Sequence, residues 1–283
     1  MPKDTVFYKK NTLNLEGKIV DLSTPLVMGI INITPDSFYK GSRYEGEKEI
    51  VERAEKIFKE GGSIIDVGGY SSRPGATDIS EEDETARLVP AIKSIKKEIP
   101  DVFISVDTFR SNVARKALES GACIVNDISG GEDPAMFSLI AEYKAAYIVM
   151  HMKGTPQNMT TKAHYENILL ELMDYFAERL LKLKEKGVKD IIIDPGFGFA
   201  KTIEHNYRLL NSLNYFEILN QPILAGLSRK SMIYKKLGIT SEEALNGTTV
   251  LNTMALMKGA SILRVHDVKE AVETVKLFKL TKS

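Results

Sequence analysis

Short apolar runs of the kind that form β-strands recur eight times along the 283-residue chain, at residues 26–33, 63–67, 103–106, 123–125, 146–150, 191–193, 223–225 and 261–265. The runs are continuously apolar, which is typical of strands buried on both faces of a parallel sheet. Stretches with helical periodicity separate most of them. An alternation of strands and helices through eight units predicts an α/β fold, the closed (β/α)8 or TIM barrel.

Each run stops abruptly at polar side chains or at a glycine pair, and these stops indicate where the chemistry lies. In a (β/α)8 barrel the C-terminal ends of the strands converge on one face, so residues far apart in sequence meet in a single mouth. The stops are Asn32, Gly68 with Gly69, Asp107, Asn126, His151, Asp194, residues 228–230 and residues 264–266.

Segments outside the strands carry predictions of their own. Residues 5–8 and 18–22 are β-type runs that flank residues 11–17, a pattern that predicts a hairpin able to plug the bottom of the barrel. Ser80 followed by three acids predicts a helix start, and Pro90 is expected to kink that helix or to end its first part. The loops at 36–46 and 68–78 follow the first two strands and are long enough to be mobile over the mouth.

Length, charge and cysteine content favour one soluble domain. A barrel of this kind needs about 250 residues, so we expect a single domain over residues 1–283, with the hairpin in 1–22 and the barrel in 26–280. The 38 basic residues balance the 38 acidic ones, which gives no overall field for nucleic acid or an anionic membrane. No apolar run is long enough to span a membrane, and the single cysteine, Cys123, lies in an apolar run. We therefore expect a cytoplasmic protein with small-molecule substrates and a buried Cys123.

Two acids and an amide stand at strand ends. Asp107 follows residues 103–106, and Asp194 follows residues 191–193. A carboxylate there is costly unless it meets a donor or a ligand, so the two suggest a shared role in acid–base chemistry, in metal binding or in recognition of a donor-rich heterocycle. Asn126 offers donors and an acceptor, which fits a ring edge with amide and amine hydrogens better than a hard-metal cage. A turn with a helix cap is the alternative for Asn126 and, more strongly, for Asp127.

Basic groups follow the last two strands, where many barrels bind phosphate. Ser228 and Lys230 end one strand, and Arg264 and His266 end the other. A helix that begins at Ser231 would add backbone amides. Each cation alone is more often a surface charge, but grouped beside acids and amides they indicate an anion site.

The first two loops add further candidates. Arg73 would bring a mobile cation, unless it is only a surface charge. Asn32, with its amide at a strand end, and Asp36 beyond Pro35 offer oxygen ligands for a divalent cation. The alternative for this string is an Asp-Ser turn after the proline.

Two other polar features carry no assigned function. His151, His164 and His205 lack the spaced partners of a metal site, and such histidines are more often structural. Residues 196–198 read Gly-Phe-Gly but lack the next glycine of a dinucleotide fingerprint, and an Asp-Pro precedes them.

Seven strings together resemble the dihydropteroate synthase family of folate biosynthesis, over residues 28–266. One string alone is a weak signal, whereas seven in the family's order make a coincidental match very improbable. They are MGIINITPDSF at 28–38, SRPGA at 72–76, SVDT at 105–108, NDI at 126–128, DPGFGF at 194–199, SRKS at 228–231 and RVHD at 264–267.

The resemblance implies a TIM barrel that joins 4-aminobenzoate to a 7,8-dihydropterin 6-ylmethyl diphosphate and releases diphosphate with the help of Mg2+. It also implies a homodimer formed through late helices. By the same resemblance, Asp107, Asn126 and Asp194 would bind the amide and amine edge of the pterin, and Lys230 would donate to its ring acceptors.

The remaining roles come from the same source. Arg264 would stack on the ring and, with His266 and Asn32, cradle the diphosphate and its metal. The 4-aminobenzoate site would be lined by Phe38, Ser72, Arg73, Pro74 and Ser228, and catalytic roles would fall to Asp36, Arg73 and Lys230.

The chain departs from many relatives of this family at a few positions. Tyr70 and Ser72 stand where an acid and a threonine are common, and Ala200 stands where glycine is common. Ser72 keeps the hydroxyl, whereas Tyr70 changes the base of the second loop.

Two alternatives compete with the synthase. A pterin-dependent methyltransferase acts with a corrinoid partner and needs no anion site. A non-catalytic pterin-binding homologue would be expected to lose the loop motifs. The basic groups and both loop motifs favour the synthase over either.

Overall fold

The computed structural model describes residues 10–33, 43–70 and 78–281, with the backbone alone for residues 43–45. The first run of the expected hairpin, residues 5–8, lies outside the described residues. So do five of the predicted site residues, namely Asp36, Phe38, Ser72, Arg73 and Pro74.

An antiparallel pair of short strands precedes eight parallel strands that form one sheet. The strands are β1 (Thr12–Leu15), β2 (Lys18–Asp21), β3 (Leu26–Asn32), β4 (Ile64–Gly68), β5 (Phe103–Asp107), β6 (Ile124–Asp127), β7 (Ala146–Met150), β8 (Ile191–Asp194), β9 (Leu224–Ala225) and β10 (Ile262–Val265). In space the parallel strands follow the order β8-β7-β6-β5-β4-β3-β10-β9, and a bridge from Ile193 to Ile223 joins the two ends. This nearly closed barrel confirms the predicted fold.

Helices follow the barrel strands and cover their outer faces. They are α1 (Arg43–Lys59), α2 (Glu81–Glu98), α3 (Ser111–Glu119), α4 (Met136–Tyr143), α5 (Ile168–Glu185), α6 (Ile203–Asn211), α7 (Ser231–Leu237), α8 (Leu245–Met257) and α9 (Val268–Leu280), with 3-10 turns at Met159–Lys162 and Leu213–Leu219. Because α1 begins at Arg43, the first loop ends earlier than the predicted residue 46. Among the helices in the described ranges, none is long and apolar enough to span a membrane.

Helix α2 begins where the sequence predicts. The Ser80 hydroxyl accepts a hydrogen bond from the Asp83 backbone N–H at 3.0 Å, which satisfies one of the free donors of the first turn. Of the two outcomes expected for Pro90, an end to the first part of the helix is wrong, because the helix continues to Glu98. Leu88 and Ile92 on either side of the proline are fully buried. Packing of this face against the barrel outweighs the lost backbone hydrogen bond.

The N-terminal hairpin forms with a shifted first strand. Residues 12–15 were expected to be loop, but they form β1 and pair with β2. The sequence signal for β1 is the alternation of Leu13 and Leu15 with polar residues. In the structure both leucines are fully buried and their neighbours are exposed. Both leucines pack with apolar side chains from the starts of the barrel strands, such as Met28 and Ile124. The hairpin therefore closes the bottom of the barrel, as predicted.

The barrel interior changes character from bottom to top. Apolar side chains fill the lower part, and buried Cys123, whose pKa burial raises to about 12, belongs to this cluster. Higher up, Asp66 and Ser105 lie opposite each other on β4 and β5, and both are fully buried. The interior therefore becomes polar directly beneath the C-terminal strand ends.

Candidate active site

Four of the predicted strand stops lie on one continuous rung at the top of the barrel. Asn32 pairs with Gly68, Gly68 with Asp107, and Asp107 with Asn126. A Cβ placed on Gly68 would lie 3.5 Å from Asn32 Oδ1 and 3.5 Å from Asp107 Cβ. The glycine therefore keeps the space between these two polar side chains open.

Arg264 links two carboxylates on neighbouring strands. Its Nε donates to Asp66 Oδ2 at 2.6 Å, and its Nη2 donates to Asp107 Oδ2 at 2.7 Å. Asn126 Nδ2 also donates to Asp66 Oδ2, at 3.1 Å. Within the described part of the chain, Asp66 Oδ1 is buried and has no hydrogen-bond partner. Asp66 thus orients Arg264 and Asn126 together and keeps one acceptor free.

The strand-end pattern of the sequence does not identify Asp66. Asp66 lies inside its run, one residue before Val67. The signal was an acid in the middle of a strand that is apolar on both faces. Such a carboxylate must find partners inside the barrel, because burying it unpaired is costly.

Burial weakens the ionisation of the strand-end carboxyls. It raises the pKa of Asp107 to about 7, although the Arg264 guanidinium opposes the shift. Burial also raises the pKa of Asp194, against the Lys230 ammonium and the Gly196 amide, whose N–H donates to Asp194 Oδ1 at 2.8 Å. Carboxylates held this way gain most from additional donors. The arrangement therefore suits a ligand edge that is rich in N–H groups.

Lys230 lies between Asp194 and the turn that follows β8. Its Nζ donates to the Phe197 carbonyl and lies 4.8 Å from the centre of the Phe199 ring. A Cβ on Gly198, whose φ is +87°, would lie 3.3 Å from Lys230 Cδ. Burial lowers the pKa of Lys230 to about 8, although the Asp194 carboxylate opposes the shift. Lys230 is therefore a half-buried donor beside Asp194.

Ser228 and His266 bring the last two strand ends together. Ser228 Oγ lies 3.1 Å from His266 Nδ1, and the His266 backbone N–H donates to the same Oγ at 3.2 Å. Arg53 Nη2 donates to the His266 carbonyl at 2.7 Å. Burial lowers the pKa of His266 to about 4, so the imidazole is neutral at pH 7. Helix α7 begins at Ser231, as predicted.

Asp127 has the structural role that was the alternative for this position. Its carboxylate accepts from the Ser129 N–H at 2.7 Å, the Gly131 N–H at 2.9 Å and the Tyr147 hydroxyl at 2.6 Å. These bonds shape the turn after β6. The neighbouring Asn126 side chain is instead directed to Asp66.

His151 belongs to the scaffold rather than to the mouth. Lys201 Nζ lies 3.1 Å from His151 Nδ1 and donates to the carbonyls of Gly196, at 2.9 Å, and Phe199, at 3.0 Å. Burial and the Lys201 charge lower the pKa of His151 to about 2, so its ring is a neutral acceptor. Lys201, which sequence reasoning also missed, thereby holds the turn after β8. His205 completes a capping box with Thr202 at the start of α6.

The structure shows what surrounds Tyr70 and Ala200, two positions that the resemblance singles out. The Tyr70 hydroxyl accepts from Gln157 Nε2 at 2.7 Å, and the Arg110 guanidinium lies 5.4 Å from the centre of its ring. Tyr70 is therefore anchored at the base of the second loop. Ala200 has a φ of +48°, a conformation that glycine adopts more easily, which explains why glycine suits this position.

The amide of Asn32 fits a metal that is carried by a substrate better than a metal held by protein alone. Across the described ranges, no group of three His, Cys, Asp or Glu side chains could hold a metal ion. Mg2+ typically keeps several waters and takes few protein ligands together with substrate phosphates. Asn32, exposed at the end of β3, can supply one such oxygen ligand.

Comparison with known proteins identifies the family of the chain. Residues 28–266 match the family described as pterin binding enzyme. The chain is 40% identical to dihydropteroate synthase of Escherichia coli K12 over 270 residues, 95% of each chain. It is 40% identical to the Bacillus subtilis enzyme over 255 residues, 89% of this chain and 87% of that one.

Solved structures give the same result. The structure of Yersinia pestis dihydropteroate synthase in complex with a sulfonamide drug has a TM-score of 0.90 and 35% identity, covering 96% of this chain and 99% of that one. The Xanthomonas albilineans enzyme with 4-aminobenzoic acid has a TM-score of 0.89 and 33% identity, covering 96% and 98%. The chain therefore belongs to the dihydropteroate synthases, within the pterin-binding enzyme family.

Proposed function

We propose that this chain condenses (7,8-dihydropterin-6-yl)methyl diphosphate with 4-aminobenzoate to give 7,8-dihydropteroate and diphosphate. The single observation that carries the proposal is the division of one mouth into two sides. The side formed by Asp66, Asp107, Asn126 and Asp194 is called the ring side, and the side formed by Asn32, Ser228 and His266 is called the anion side. Such a mouth suits a substrate that joins a donor-rich ring to an anion.

On the ring side, the strand-end acids receive the N–H groups of the pterin. Asp107, Asn126 and Asp194 accept from its amide and amine edge, and Lys230 donates to its ring acceptors. Arg264 stacks on the ring face. The free Asp66 Oδ1 and the raised pKa values of Asp107 and Asp194 support this assignment. The unpartnered oxygen and the raised pKa values both indicate carboxylates that can accept further hydrogen bonds from a ligand.

The diphosphate lies near His266 and Asn32 on the anion side and near Arg264, which both sides share. Because His266 is neutral, it contributes a ring N–H rather than a positive charge. Asn32 would supply an oxygen to Mg2+, and the bound ion would stabilise the charge that develops on the departing diphosphate.

The reaction requires one bond to break and one to form. The C–O bond to diphosphate breaks with its electron pair leaving on oxygen, and positive charge spreads into the dihydropterin ring. Asp107 and Asp194 stabilise that charge at the ring edge. The amine nitrogen of 4-aminobenzoate then bonds to the carbon and loses a proton to solvent. An arylamine is already nucleophilic at neutral pH, so the site needs no strong general base.

The 4-aminobenzoate contacts are proposed for residues that lie mainly outside the described ranges. We assign Arg73 and Asp36, with Lys230, to catalysis. The proposed lining of the 4-aminobenzoate site consists of Phe38, Ser72, Arg73, Pro74 and Ser228.

We also propose that the chain forms a homodimer through α8. Leu251, Ala255 and Leu256 on one face of α8 are buried against the barrel. Val250, Met254 and Met257, spaced at i, i+4 and i+7, form a second apolar stripe that is exposed. A helix that is apolar on both faces is expected to be covered on both.

A light-scattering measurement of molar mass tests the homodimer. Met254→Glu should give a monomer, whereas Leu170→Glu, at an exposed leucine on α5, should leave the dimer intact. A dimer that persists in Met254→Glu contradicts this interface.

The single-domain organisation, the cytoplasmic location and the expected lack of nucleic-acid and membrane partners remain predictions.

A product assay tests the reaction. Purified protein with Mg2+, the dihydropterin diphosphate and labelled 4-aminobenzoate should form labelled dihydropteroate. Absence of product, together with methyl transfer from a methylated folate to a corrinoid, would favour the methyltransferase instead. Binding of the pterin with neither reaction would favour the non-catalytic homologue.

A further inference from the structure

Arg229 and Asp267 adjoin the anion side without belonging to it. Arg229 lies in the chain between Ser228 and Lys230, and Asp267 follows His266. Arg229 Nε donates to Asp267 Oδ2 at 2.9 Å, and Nη2 donates to Oδ1 at 2.8 Å. A two-point bond between a planar guanidinium and a carboxylate fixes orientation as well as distance. The pair therefore joins the turn after β9 to the turn after β10.

The other donors of Arg229 are also engaged. Its Nη1 donates to the carbonyls of Ser241, at 3.1 Å, and Glu242, at 2.8 Å, in the segment between α7 and α8. Its backbone N–H donates to Thr248 Oγ1 at 3.0 Å, and Thr248 is buried in α8. Arg229 is therefore tied to the scaffold at every side-chain nitrogen and at its backbone.

Both members of the pair depart from local preference. Arg229 has a φ of +56°, in the left-handed region that L side chains rarely adopt. Asp267 occupies the N-cap of α9, where a carboxylate usually accepts from the first amides of the helix, but it makes no such bond. Its two oxygens bind Arg229 instead. Such departures persist where surrounding contacts enforce them, and they cluster at functional sites.

We propose that Arg229 and Asp267 are positioning residues that form a clamp, defined as this two-point ion pair, and set the geometry of the anion side. The left-handed turn at Arg229 presents Ser228 toward His266. The bond to Asp267 then holds the two turns together, so that Ser228 Oγ stays 3.1 Å from His266 Nδ1. The clamp rests on the proposed function, because it assumes that diphosphate binds at this end of the mouth.

The ring side provides an internal reference for testing the clamp. Asp107 and Asn126 are held by the strand ladder and are not bonded to Arg229 or Asp267. Loss of the clamp should therefore weaken binding of a ligand with a diphosphate and spare a pterin without one. A purely structural role for the pair would weaken both ligands alike.

The decisive variant is Arg229→Lys, which keeps the charge but cannot make the two-point bond. Calorimetric titration should show the Mg2+ complex of the dihydropterin diphosphate binding about tenfold more weakly, as expected for loss of a charge-assisted bond. The affinity for the pterin without diphosphate should stay within about twofold of wild type. The clamp would be overturned if Arg229→Lys bound the diphosphate ligand as tightly as wild type does. Equal losses of affinity for both ligands would overturn it as well.

A matched control and a reciprocal variant complete the experiment. Arg115 makes a similar two-point bond to Glu142, at 3.0 and 3.1 Å, between α3 and α4, so Arg115→Lys should change neither affinity. Asp267→Asn should reproduce Arg229→Lys, and the double variant should lose no more than either single one. Additive losses would contradict the clamp. If Arg229→Lys does not fold, Asp267→Asn with the same two ligands decides between the clamp and a purely structural pair.

Failure of the proposed function gives a different result from failure of the clamp alone. Wild-type protein that does not bind the dihydropterin diphosphate would remove the proposed function and the clamp with it. Wild-type protein that binds it, with unaffected variants, would remove only the clamp.

Discussion

The ring side and the anion side of the mouth obtain their geometry by different means. Asp66, Asp107 and Asn126 lie on strands β4, β5 and β6, whose ladder sets their spacing. On the anion side, Asn32 belongs to the same ladder through β3, but Ser228 and His266 lie on turns beyond strand ends, and β9 has only two residues. The difference teaches that a sheet can place side chains directly, whereas turns need side-chain bonds to hold them in place.

The two sides also differ in charge. The ring side gathers buried carboxyls whose pKa values burial raises, with Arg264 as their counter-charge. The anion side contains a neutral histidine whose pKa burial lowers. Removing a ring-side acid should therefore disturb a charge network, whereas removing an anion-side group should cost single hydrogen bonds. Four variants test this ranking, beginning with the largest effect.

Asp66→Ala should lower the free energy of unfolding by about 3 kcal/mol, because it removes a fully buried carboxylate and leaves the half-buried Arg264 with one carboxylate partner instead of two. Urea denaturation measures the change. Asp101→Ala removes an exposed pair with Lys18 and should cost at most about 0.5 kcal/mol. If the two variants lose similar stability, Asp66 does not anchor the ring side.

Asp194→Ala should weaken pterin binding about 30-fold, equivalent to about 2 kcal/mol, because ring N–H groups lose a buried acceptor. Calorimetric titration with a pterin lacking the diphosphate isolates this effect. Asp174→Ala, at an exposed position on α5, should leave the affinity unchanged. Wild-type affinity in Asp194→Ala would show that Asp194 does not bind the ring edge.

His266 should make the protein less stable in acid. The folded-state pKa of about 4 lies below the ordinary value of 6.5, so the unfolded chain binds more protons between these values. Stability should therefore fall as pH decreases through this window, by up to about 1.4 kcal/mol per pH unit from this group. His266→Gln should flatten the profile between pH 6.5 and 4. Parallel profiles for the two proteins would place the ionisation of His266 near its ordinary value.

Ser228→Ala should have the smallest effect, about 1 kcal/mol or roughly fivefold in affinity for the dihydropterin diphosphate, because it removes the two neutral hydrogen bonds that hold His266, one to its ring and one to its backbone N–H. Ser120→Ala, at a half-buried serine after α3 whose Oγ donates to the Lys116 carbonyl, is the control. A loss of affinity as large as that expected for Asp194→Ala would contradict the ranking of the two sides.

The parts of this site that sequence could predict are those that the strands set. Asp107, Asn126 and Asp194 end apolar runs, so their meeting at one face follows from the barrel itself. The strand-end pattern does not identify Asp66, because this residue lies within an apolar run. An acid inside such a run does, however, indicate a buried polar contact. The pairings of Arg229 with Asp267 and of Lys201 with His151 could not be predicted, because each depends on which turns meet in space.

The hairpin and Pro90 teach a similar lesson for the fold. Leu13 and Leu15 alternate with polar residues, which is a strand signal that the turn residues around them obscured. Pro90 has a strong local preference against a helix interior, yet the buried Leu88 and Ile92 keep α2 continuous. Local preference was overruled where tertiary packing supplied more free energy.

The most direct test of the two-sided mouth is a crystal structure of the protein with Mg2+ and the dihydropterin diphosphate. The ring edge should lie within hydrogen-bond distance of Asp107, Asn126 and Asp194, with the phosphates near His266 and the metal on Asn32. A diphosphate bound against the carboxylates, or a ring bound between Ser228 and His266, would contradict the division of the mouth.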